Sequence, residues 1–172
     1  MRHEKRELSD PSFETPLTTE GMENAKKLAS FAQSNMDKIT HIYTSPFLRC
    51  LQTIEPLIKS TEPKPQVNCD YSLFEYLHSE ISNFFNEIKT PENKYLSKTY
   101  VSKTDKNEIK APESKIDVSK RVNKLKNHIK NTHQNTNDVV LIVTHMSIVN
   151  EFLQKDSHEH FPMGQITQIQ LF

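Results

Sequence analysis

Hydrophobic residues along the chain follow two different spacings. Short runs rich in β-branched and aromatic residues, typical of strands, occur at 39–44, 66–69 and 138–143. The last run is apolar without alternation, as expected for a central strand that is buried on both faces. Residues 166–172 alternate imperfectly and are predicted to form an edge strand. Strands that alternate with helical segments predict an α/β three-layer sandwich, in which helices flank a mostly parallel central sheet.

Five segments outside these strands carry apolar residues at helical spacing. The first begins at Thr18 or Thr19 and fades near Asn35, and the second begins at Pro46. Pro56 is expected to bend or end the second helix early, because proline removes a backbone donor. The other helical segments are 71–88, a stretch that begins at Ser119 and a short stretch after His145.

Length and composition narrow the classes of protein that fit. A chain of 172 residues is expected to form a single domain, 1–172, with a polar, solvated and mobile insertion around 90–112. The net charge of zero gives no basic field for nucleic acid. No signal peptide or membrane span is predicted, and the two cysteines are too few for a disulfide scaffold, so a cytoplasmic location is expected. The oligomeric state stays open, a dimer included.

Polar groups suited to phosphate occur where the predicted strands end. Segments 45–49 and 144–147 follow two strands, at the edge where α/β sheets carry reactive groups. Arginine is scarce, since the 22 basic residues include only four arginines, and two of these flank His3. The rigid guanidinium fork matches phosphate oxygens, so its sparing use suggests that its geometry is needed. The alternative for residues 1–6 is a basic terminus that frays in solvent.

Four motifs, in order along the chain, resemble those of the histidine phosphatase superfamily, which has the phosphoglycerate-mutase-like fold. That family opens with Arg-His-Gly after its first strand, and its later motifs are a Leu-Thr-Gly helix signature, a Ser-Pro-x-x-Arg-x-x-x-Thr segment and a histidine after a hydrophobic strand. The matching positions here are Arg2-His3, 17–28, 45–53 and 141–145.

A fifth segment resembles one eukaryotic branch of this family. Residues 71–77, Tyr-Ser-Leu-Phe-Glu-Tyr-Leu, are similar to the segment that carries the acid in the ecdysteroid-phosphate phosphatases and the suppressor of T-cell-receptor signalling phosphatases. Members of that branch often begin Arg-His-Gly-Glu-Arg, and Arg6 falls where their last arginine falls. Glu75 is therefore the candidate acid, with Glu80 and Glu87 as other acids on the same predicted helix.

The resemblance implies a metal-independent phosphomonoesterase with no cofactor, acting on a phosphorylated small molecule or a phosphoprotein. It implies that His3 is the nucleophile and passes through a phosphohistidine, with Glu75 as general acid. It also implies that the phosphate oxygens are held by the remaining site residues, Arg2, Arg49 and His145, with Arg6 as an extra donor. The motif His158-Glu159-His160 is interpreted as a surface loop rather than a metal site, since matching ligands at recognised spacing are missing.

Three positions depart from the family pattern and keep other functions open. Only Met1 precedes Arg2-His3, so the first strand is expected to be truncated, unless the native chain begins upstream or another segment fills the gap. Glu4 replaces the glycine after the nucleophile, which is expected to bring a side chain near the phosphate pocket, and Met146 follows His145 where small residues are usual. A phosphatase-fold binding module with weak or no catalysis is therefore the alternative. A sugar-phosphate mutase is disfavoured, because the insertion offers little hydrophobic lid.

Overall fold

The structure is a computed structural model, and it describes residues 1–9, 12–35, 38–78, 90–155 and 160–167. The described helices are α1 (Thr19–Asn35), α2 (Leu48–Ser60), α3 (Lys115–His133) and α4 (Met146–Leu153). The described strands are β1 (His41–Thr44), β2 (Gln66–Cys69) and β3 (Val140–Val143), and short 3₁₀ turns lie at Tyr71–Leu73 and Lys106–Glu108. In the described part of the chain, no helix is both long enough and apolar enough to cross a membrane.

The described sheet is parallel, with the strand order β2-β1-β3. Parallel pairing places the carboxyl ends of all three strands at one edge. Alternate strand residues face two separate apolar clusters. On one face Ile42 packs with residues of α1 and α2, and on the other face Tyr43 packs with residues of α3 and α4. Helices therefore cover both faces, which confirms the predicted three-layer α/β sandwich.

The first residues of the chain form a short extension of the sheet beside β3. Arg2 makes a parallel bridge to Thr144, and the Met1 nitrogen donates to the Ile142 carbonyl at 2.8 Å. The His3 amide donates to the Thr144 carbonyl at 3.0 Å, and the Thr144 amide donates to the Met1 carbonyl at 3.1 Å. These bonds show that residues 1–3 pair with the sheet beside β3. They also fix the backbone at His3, so these residues are not a frayed tail.

Gly21, in the first turn of α1, lies against the backbone that follows His3. A Cβ atom at this position would stand 2.1 Å from the Lys5 carbonyl oxygen. The same carbonyl accepts a hydrogen bond from the Thr18 amide, while the Thr18 hydroxyl accepts from the Gly21 amide and caps the helix. The glycine in the motif is thus needed for the close approach of α1 to the N-terminal segment.

We expect Gly21→Ala to lower the free energy of unfolding by about 1–3 kcal/mol, the usual cost of inserting a methyl group into a packed site. Alanine normally stabilises a helix relative to glycine, so the sign tests the clash directly. Urea denaturation of Gly21→Ala is compared with that of Ser30→Ala, an exposed position on the same helix. Stabilisation by Gly21→Ala would contradict this close contact.

Two of the predicted helices differ in the structure. Pro56 does not end α2, which continues to Ser60 and keeps Leu57 and Ile58 in the core. Helix α3 begins at Lys115 rather than at Ser119, because Ser114 and Asp117 form a capping box. The first helix and the strand at 66–69 lie where the sequence predicts them.

The helix predicted over 71–88 is wrong in its described part. Only Tyr71–Leu73 forms a 3₁₀ turn, and residues 74–78 are not helical. The Arg121 guanidinium binds carbonyl groups of this segment, which a helix would use internally. Residues 79–89 lie outside the described part of the chain, and so do Glu80 and Glu87. Residues 166–167 are not in a strand, and the rest of that predicted edge strand also lies outside the description.

The polar segment 90–112 contains a short 3₁₀ turn and a single parallel bridge from Leu96 to Val67, and it is attached to the domain. The buried Asp70 carboxylate accepts hydrogen bonds from the Tyr100 hydroxyl at 2.5 Å and from the Lys103 amide at 2.9 Å. Thr104 is 2% exposed, and Ile109 belongs to the main apolar cluster. The expectation of a fully solvated insertion is therefore wrong for these residues, because one buried acid and two core contacts hold the segment.

Candidate active site

Side chains from four separate segments meet at the carboxyl edge of the sheet. His3 follows the N-terminal strand residues, and His145 follows β3. Arg49 lies in the first turn of α2, and Glu75 lies in the irregular segment after the 3₁₀ turn. The structure thus brings together the four residues that the sequence motifs single out as nucleophile, acid, second arginine and second histidine. Arg2 and Arg6 lie beside them.

His145 is fully buried and contacts three polar side chains. Its Nε2 atom lies 2.9 Å from the Ser45 hydroxyl, and its Nδ1 atom lies 3.1 Å from Glu75 Oε2 and 3.4 Å from Arg49 Nη2. A carboxylate only accepts, so Nδ1 carries the proton and Nε2 accepts from Ser45. Burial lowers the pKa of His145 to about 4; Glu75 opposes this shift and Arg49 adds to it. His145 is therefore a neutral imidazole with a fixed tautomer.

His3 is also neutral and has a defined tautomer. Its Nδ1 atom lies 2.7 Å from the Glu4 carbonyl oxygen, and its ring packs edge-on against His145 at 5.3 Å. A carbonyl oxygen cannot donate, so Nδ1 carries the proton and Nε2 keeps its lone pair. Burial lowers the pKa of His3 to about 2, and electrostatic coupling to His145 and to the positive charge of Arg49 acts in the same direction. The ring is thus neutral at any physiological pH.

Arg49 is nearly completely buried, although it is always charged. Its Nη1 atom donates to the Ser12 carbonyl at 3.0 Å, its Nη2 atom lies 3.7 Å from Glu75 Oε2, and its guanidinium stacks on the Phe47 ring at 4.2 Å. Among the described residues, no acceptor contacts the buried Nε atom of Arg49. Burying a donor without a partner is costly, so this atom is suited to an anionic ligand.

Arg2, at the edge of the site, has a buried Nε atom as Arg49 does. Its Nη1 atom donates to the Phe161 carbonyl at 2.6 Å and approaches the Met146 sulfur at 3.7 Å. Its Nε atom is buried and has no acceptor in the described part of the chain. Met146 therefore contacts one of the phosphate-binding candidates, which explains how a larger residue is accommodated after His145.

Arg6 adds positive charge to the site. Its Nη1 atom donates to the Glu7 carbonyl at 2.6 Å. Burial lowers the pKa of both Arg2 and Arg49, Glu75 opposes that shift, and the charge of Arg6 adds to it. Arg6 is thus close enough to strengthen the positive potential of the site.

Glu75 is the acidic member of the site. Burial alone raises the pKa of this carboxyl, but His145, Arg49 and His3 together outweigh burial and hold the pKa well below its usual range. Glu75 is therefore ionised when no phosphate is present. It balances the charge of Arg49 and accepts a hydrogen bond from the Nδ1–H of His145.

Arg121 holds the backbone of the Glu75 segment, although no motif assigns it a role. Its Nη1 atom donates to the carbonyls of Ser72 at 2.7 Å and Phe74 at 2.9 Å, and its Nη2 atom donates to that of Glu75 at 3.3 Å. The pair with Glu113 is buried, with Nε to Oε1 at 2.8 Å. The only signal in the sequence was the scarcity of arginine, since Arg121 is the fourth one.

Ser45 and Phe47 are further site residues. Both lie in the sequence motif at 45–53, but the motif does not show which residues they contact. Ser45 fixes the His145 tautomer, and Phe47 packs under Arg49 and 4.8 Å from the His145 ring. Ser45 follows β1 directly and Phe47 comes two residues later, so the predicted strand already indicated that both lie at the carboxyl edge. Their partners come from other segments of the chain and depend on the tertiary structure.

The Glu4 side chain does not point where the sequence suggested. The Glu4 carboxyl lies against Gly164, where an added Cβ would stand 2.1 Å from Oε1, and Asn24 hydrogen-bonds to it. Gly164 has φ +75° and donates its amide to the His3 carbonyl at 3.1 Å. Glu4 therefore supports the backbone next to His3.

The model of the histidine phosphatase superfamily (branch 1) matches residues 2–169. The chain belongs to this superfamily. The match confirms the family expected from the four motifs, and with it the prediction of a histidine phosphatase. No curated protein sequence matches the chain at a significant level. His158 and Glu159 lie outside the described residues, so their interpretation as a surface loop stays a prediction.

Solved structures of several phosphatases share this fold. Ecdysone phosphate phosphatase from Bombix mori, in complex with tungstate, is 16% identical and has a TM-score of 0.75, with 97% of this chain and 82% of that chain covered. The protein histidine phosphatase SixA, also with tungstate, is 17% identical with a TM-score of 0.53, covering 89% and 71%. Alpha-ribazole phosphatase from Shigella flexneri is 14% identical with a TM-score of 0.57, covering 91% and 79%.

Proposed function

We propose that this histidine phosphatase hydrolyses phosphomonoesters without a metal ion and through a phosphohistidine on His3. The observation that carries the proposal is a neutral, buried imidazole beside two arginines whose buried Nε atoms have no acceptor among the described residues. A phosphate group supplies the missing acceptors and the negative charge. Two related phosphatases bind tungstate, a tetrahedral oxyanion like phosphate, which supports an oxyanion as the ligand here.

In the first step, the His3 Nε2 lone pair attacks phosphorus while the bond to the leaving oxygen breaks. Arg2 and Arg49 hold the non-bridging oxygens, with Arg6 as a further positive charge. His145 donates its Nδ1–H to one of these oxygens once Glu75 is protonated and no longer accepts it. The Nδ1–H of His3 keeps donating its hydrogen bond to the Glu4 carbonyl, which keeps the ring oriented during the attack. Fixed positive groups in a buried site stabilise the charge that spreads over the transferring phosphoryl group.

Glu75 gives a proton to the leaving oxygen in the first step and takes one from water in the second. Water then attacks phosphorus, the P–N bond breaks, and inorganic phosphate leaves with His3 restored. Because its pKa is low, Glu75 is ionised before substrate binds. The proton that it gives to the leaving oxygen must therefore come from the substrate. A phosphomonoester loses its second proton with a pKa of about 6, and the monoanion can pass this proton to Glu75 when it binds. A bound dianion favours the protonated carboxyl.

We therefore expect kcat/KM for an alkyl phosphate to fall as the pH rises through about 6, where the substrate monoanion disappears. Glu75→Gln cannot carry the proton, so its kcat for β-glycerophosphate is expected to fall by about 10²–10⁴-fold. Its kcat for p-nitrophenyl phosphate should fall much less, because p-nitrophenolate leaves without a proton. Equal losses with both substrates would show that Glu75 only positions His145.

The covalent intermediate tests the proposal itself. Wild-type protein is mixed with p-nitrophenyl phosphate, quenched in alkali and digested, and mass spectrometry is used to locate the phosphoryl group. We expect it on the peptide that contains His3, and we expect no phosphoryl group in His3→Ala. Turnover without a covalent phosphoryl group would overturn the phosphohistidine route. Binding of tungstate without turnover of a phosphomonoester panel would favour the binding module.

A further inference from the structure

Three side chains with metal-binding atoms converge at the amino-terminal edge of the sheet, opposite the phosphatase site. His41 is the first residue of β1, His133 is the last residue of α3, and Asp138 lies two residues before β3. One ligand atom from each residue lies within 4.8 Å of the other two. Strand residues rise about 3.3 Å each, so β1 separates His41 from Thr44 at the phosphatase edge by about 10 Å. This His-His-Asp cluster is distinct from the phosphatase site.

The spacing of the ligand atoms fits a tetrahedral ion. His133 Nδ1 lies 2.8 Å from Asp138 Oδ2, and His41 Nδ1 lies 3.5 Å from Asp138 Oδ1. Zinc binds nitrogen and oxygen at about 2.0–2.2 Å, so tetrahedral geometry places neighbouring ligand atoms about 3.4 Å apart. The two observed distances, which run to different oxygens of Asp138, fall on either side of this value. Small rotations of the side chains are enough to complete the ligand set.

Neighbouring hydroxyl groups orient the cluster. The Tyr43 hydroxyl lies 3.0 Å from His133 Nε2, and Thr40 and Thr136 donate to the two Asp138 oxygens at 3.0 and 2.8 Å. A metal-binding histidine normally bonds a partner through its other ring nitrogen, which fixes the ring. When a metal takes the place of the Nδ1 proton, that proton moves to Nε2, and the ring then donates to the Tyr43 oxygen.

The cluster also has an open side. His133 is buried, with its side chain 1% exposed, whereas His41 and Asp138 are 22% and 23% exposed. An ion can therefore enter from solvent and meet a ring that is already fixed in the protein. Because the three residues come from β1, α3 and the segment before β3, a bound ion would join three elements.

We propose that His41, His133 and Asp138 form a structural site for a divalent transition-metal ion of the zinc class, with water as the fourth ligand. Two imidazoles and one carboxylate suit zinc, cobalt or nickel, whereas calcium needs six or more oxygen ligands. The ion ties α3 to the sheet and takes no part in phosphoryl transfer.

Calorimetric titration with zinc chloride tests the site. The titration uses protein carrying His3→Ala, so that the histidine pair of the phosphatase site does not compete. We expect one ion per chain, and at least a tenfold weaker affinity when His41→Gln or Asp138→Asn is added. His128→Gln, on the same helix as His133, is the matched control and should leave the affinity unchanged. No zinc binding, or equal binding by all variants, would overturn the site.

Zinc-edge anomalous diffraction from wild-type crystals soaked in zinc chloride gives an independent answer. A peak between His41, His133 and Asp138 supports the site, and peaks confined to other residues overturn it. A thermal melt tests whether the bound ion stabilises the fold. Zinc should raise the melting temperature of the His3→Ala protein and leave that of His3→Ala/His41→Gln unchanged. Equal rises in both proteins would contradict a site at this cluster.

Discussion

The variant His3→Ala is expected to lose at least about 10³-fold in kcat with p-nitrophenyl phosphate, because it lacks the nucleophile that the proposed mechanism requires. His3 is held by a backbone bond to the Thr144 carbonyl and by its Nδ1 bond to the Glu4 carbonyl. A water molecule in the same place would have neither the nucleophilicity nor the orientation of the ring. Initial rates with the purified proteins measure the loss.

Two controls separate lost chemistry from lost folding. His128→Ala removes a half-buried histidine on α3 and should retain the wild-type rate. Added imidazole should restore part of the His3→Ala activity, since it can fill the space left by the missing ring and attack in its place. A His3→Ala rate within tenfold of wild type would contradict the role of His3 as nucleophile.

The largest effect on stability is expected from Arg121→Met. Arg121 and Glu113 form a buried pair in which the side chains are 4% and 3% exposed. Removal of one partner leaves the other charge buried without compensation, which typically costs about 3–5 kcal/mol. The carbonyls of Ser72 and Phe74 lose their donor at the same time. Urea denaturation should therefore show a large fall in the free energy of unfolding.

The same helix offers a matched control for this substitution. Lys124 pairs with Glu108 at 2.9 Å, nearly the same distance as in the buried pair, but both side chains are about half exposed. Water screens such a pair, so Lys124→Met should leave the stability almost unchanged. Adding Glu113→Gln to Arg121→Met should recover part of the loss, because it removes the unpaired charge. Equal losses in the two single variants would contradict the importance of burial.

Arg121 is also expected to act as a positioning residue for Glu75. Its guanidinium fixes the carbonyl of Glu75 itself, and the irregular segment has no helix of its own to hold it. In folded Arg121→Met, kcat for β-glycerophosphate should therefore fall more than kcat for p-nitrophenyl phosphate. A purely structural role would lower the two values equally.

Much of this protein could be predicted from local sequence patterns. The spacing of apolar residues and the capping residue predicted the strand at 66–69 and the first helix. Both signals involve only residues within a few positions of one another. The site residues His3, Arg49, Glu75 and His145 were found by resemblance of short motifs, and the structure brings them together. Scarce arginine at the N-terminus pointed in the same direction, because guanidinium geometry suits phosphate.

Other features could not be predicted locally, because distant segments decide them. The helix predicted over 71–88 fails in its described part because Arg121, about 50 positions away, takes its carbonyls. The Glu4 carboxyl lies against Gly164, and Pro56 remains within a helix whose neighbours are buried. In each case a long-range contact outweighs the local preference of the backbone.

The sequence by itself determined the order of the elements, the family and the chemical types of the site residues, since these depend on residue identity and short spacing. Only the tertiary structure decided the protonation and tautomers of His3 and His145, which depend on burial and on partners from other segments. It also decided that residues 1–3 are held as a strand. Hydrogen bonds to Ile142 and Thr144 supply that support, and both acceptors lie some 140 positions along the chain.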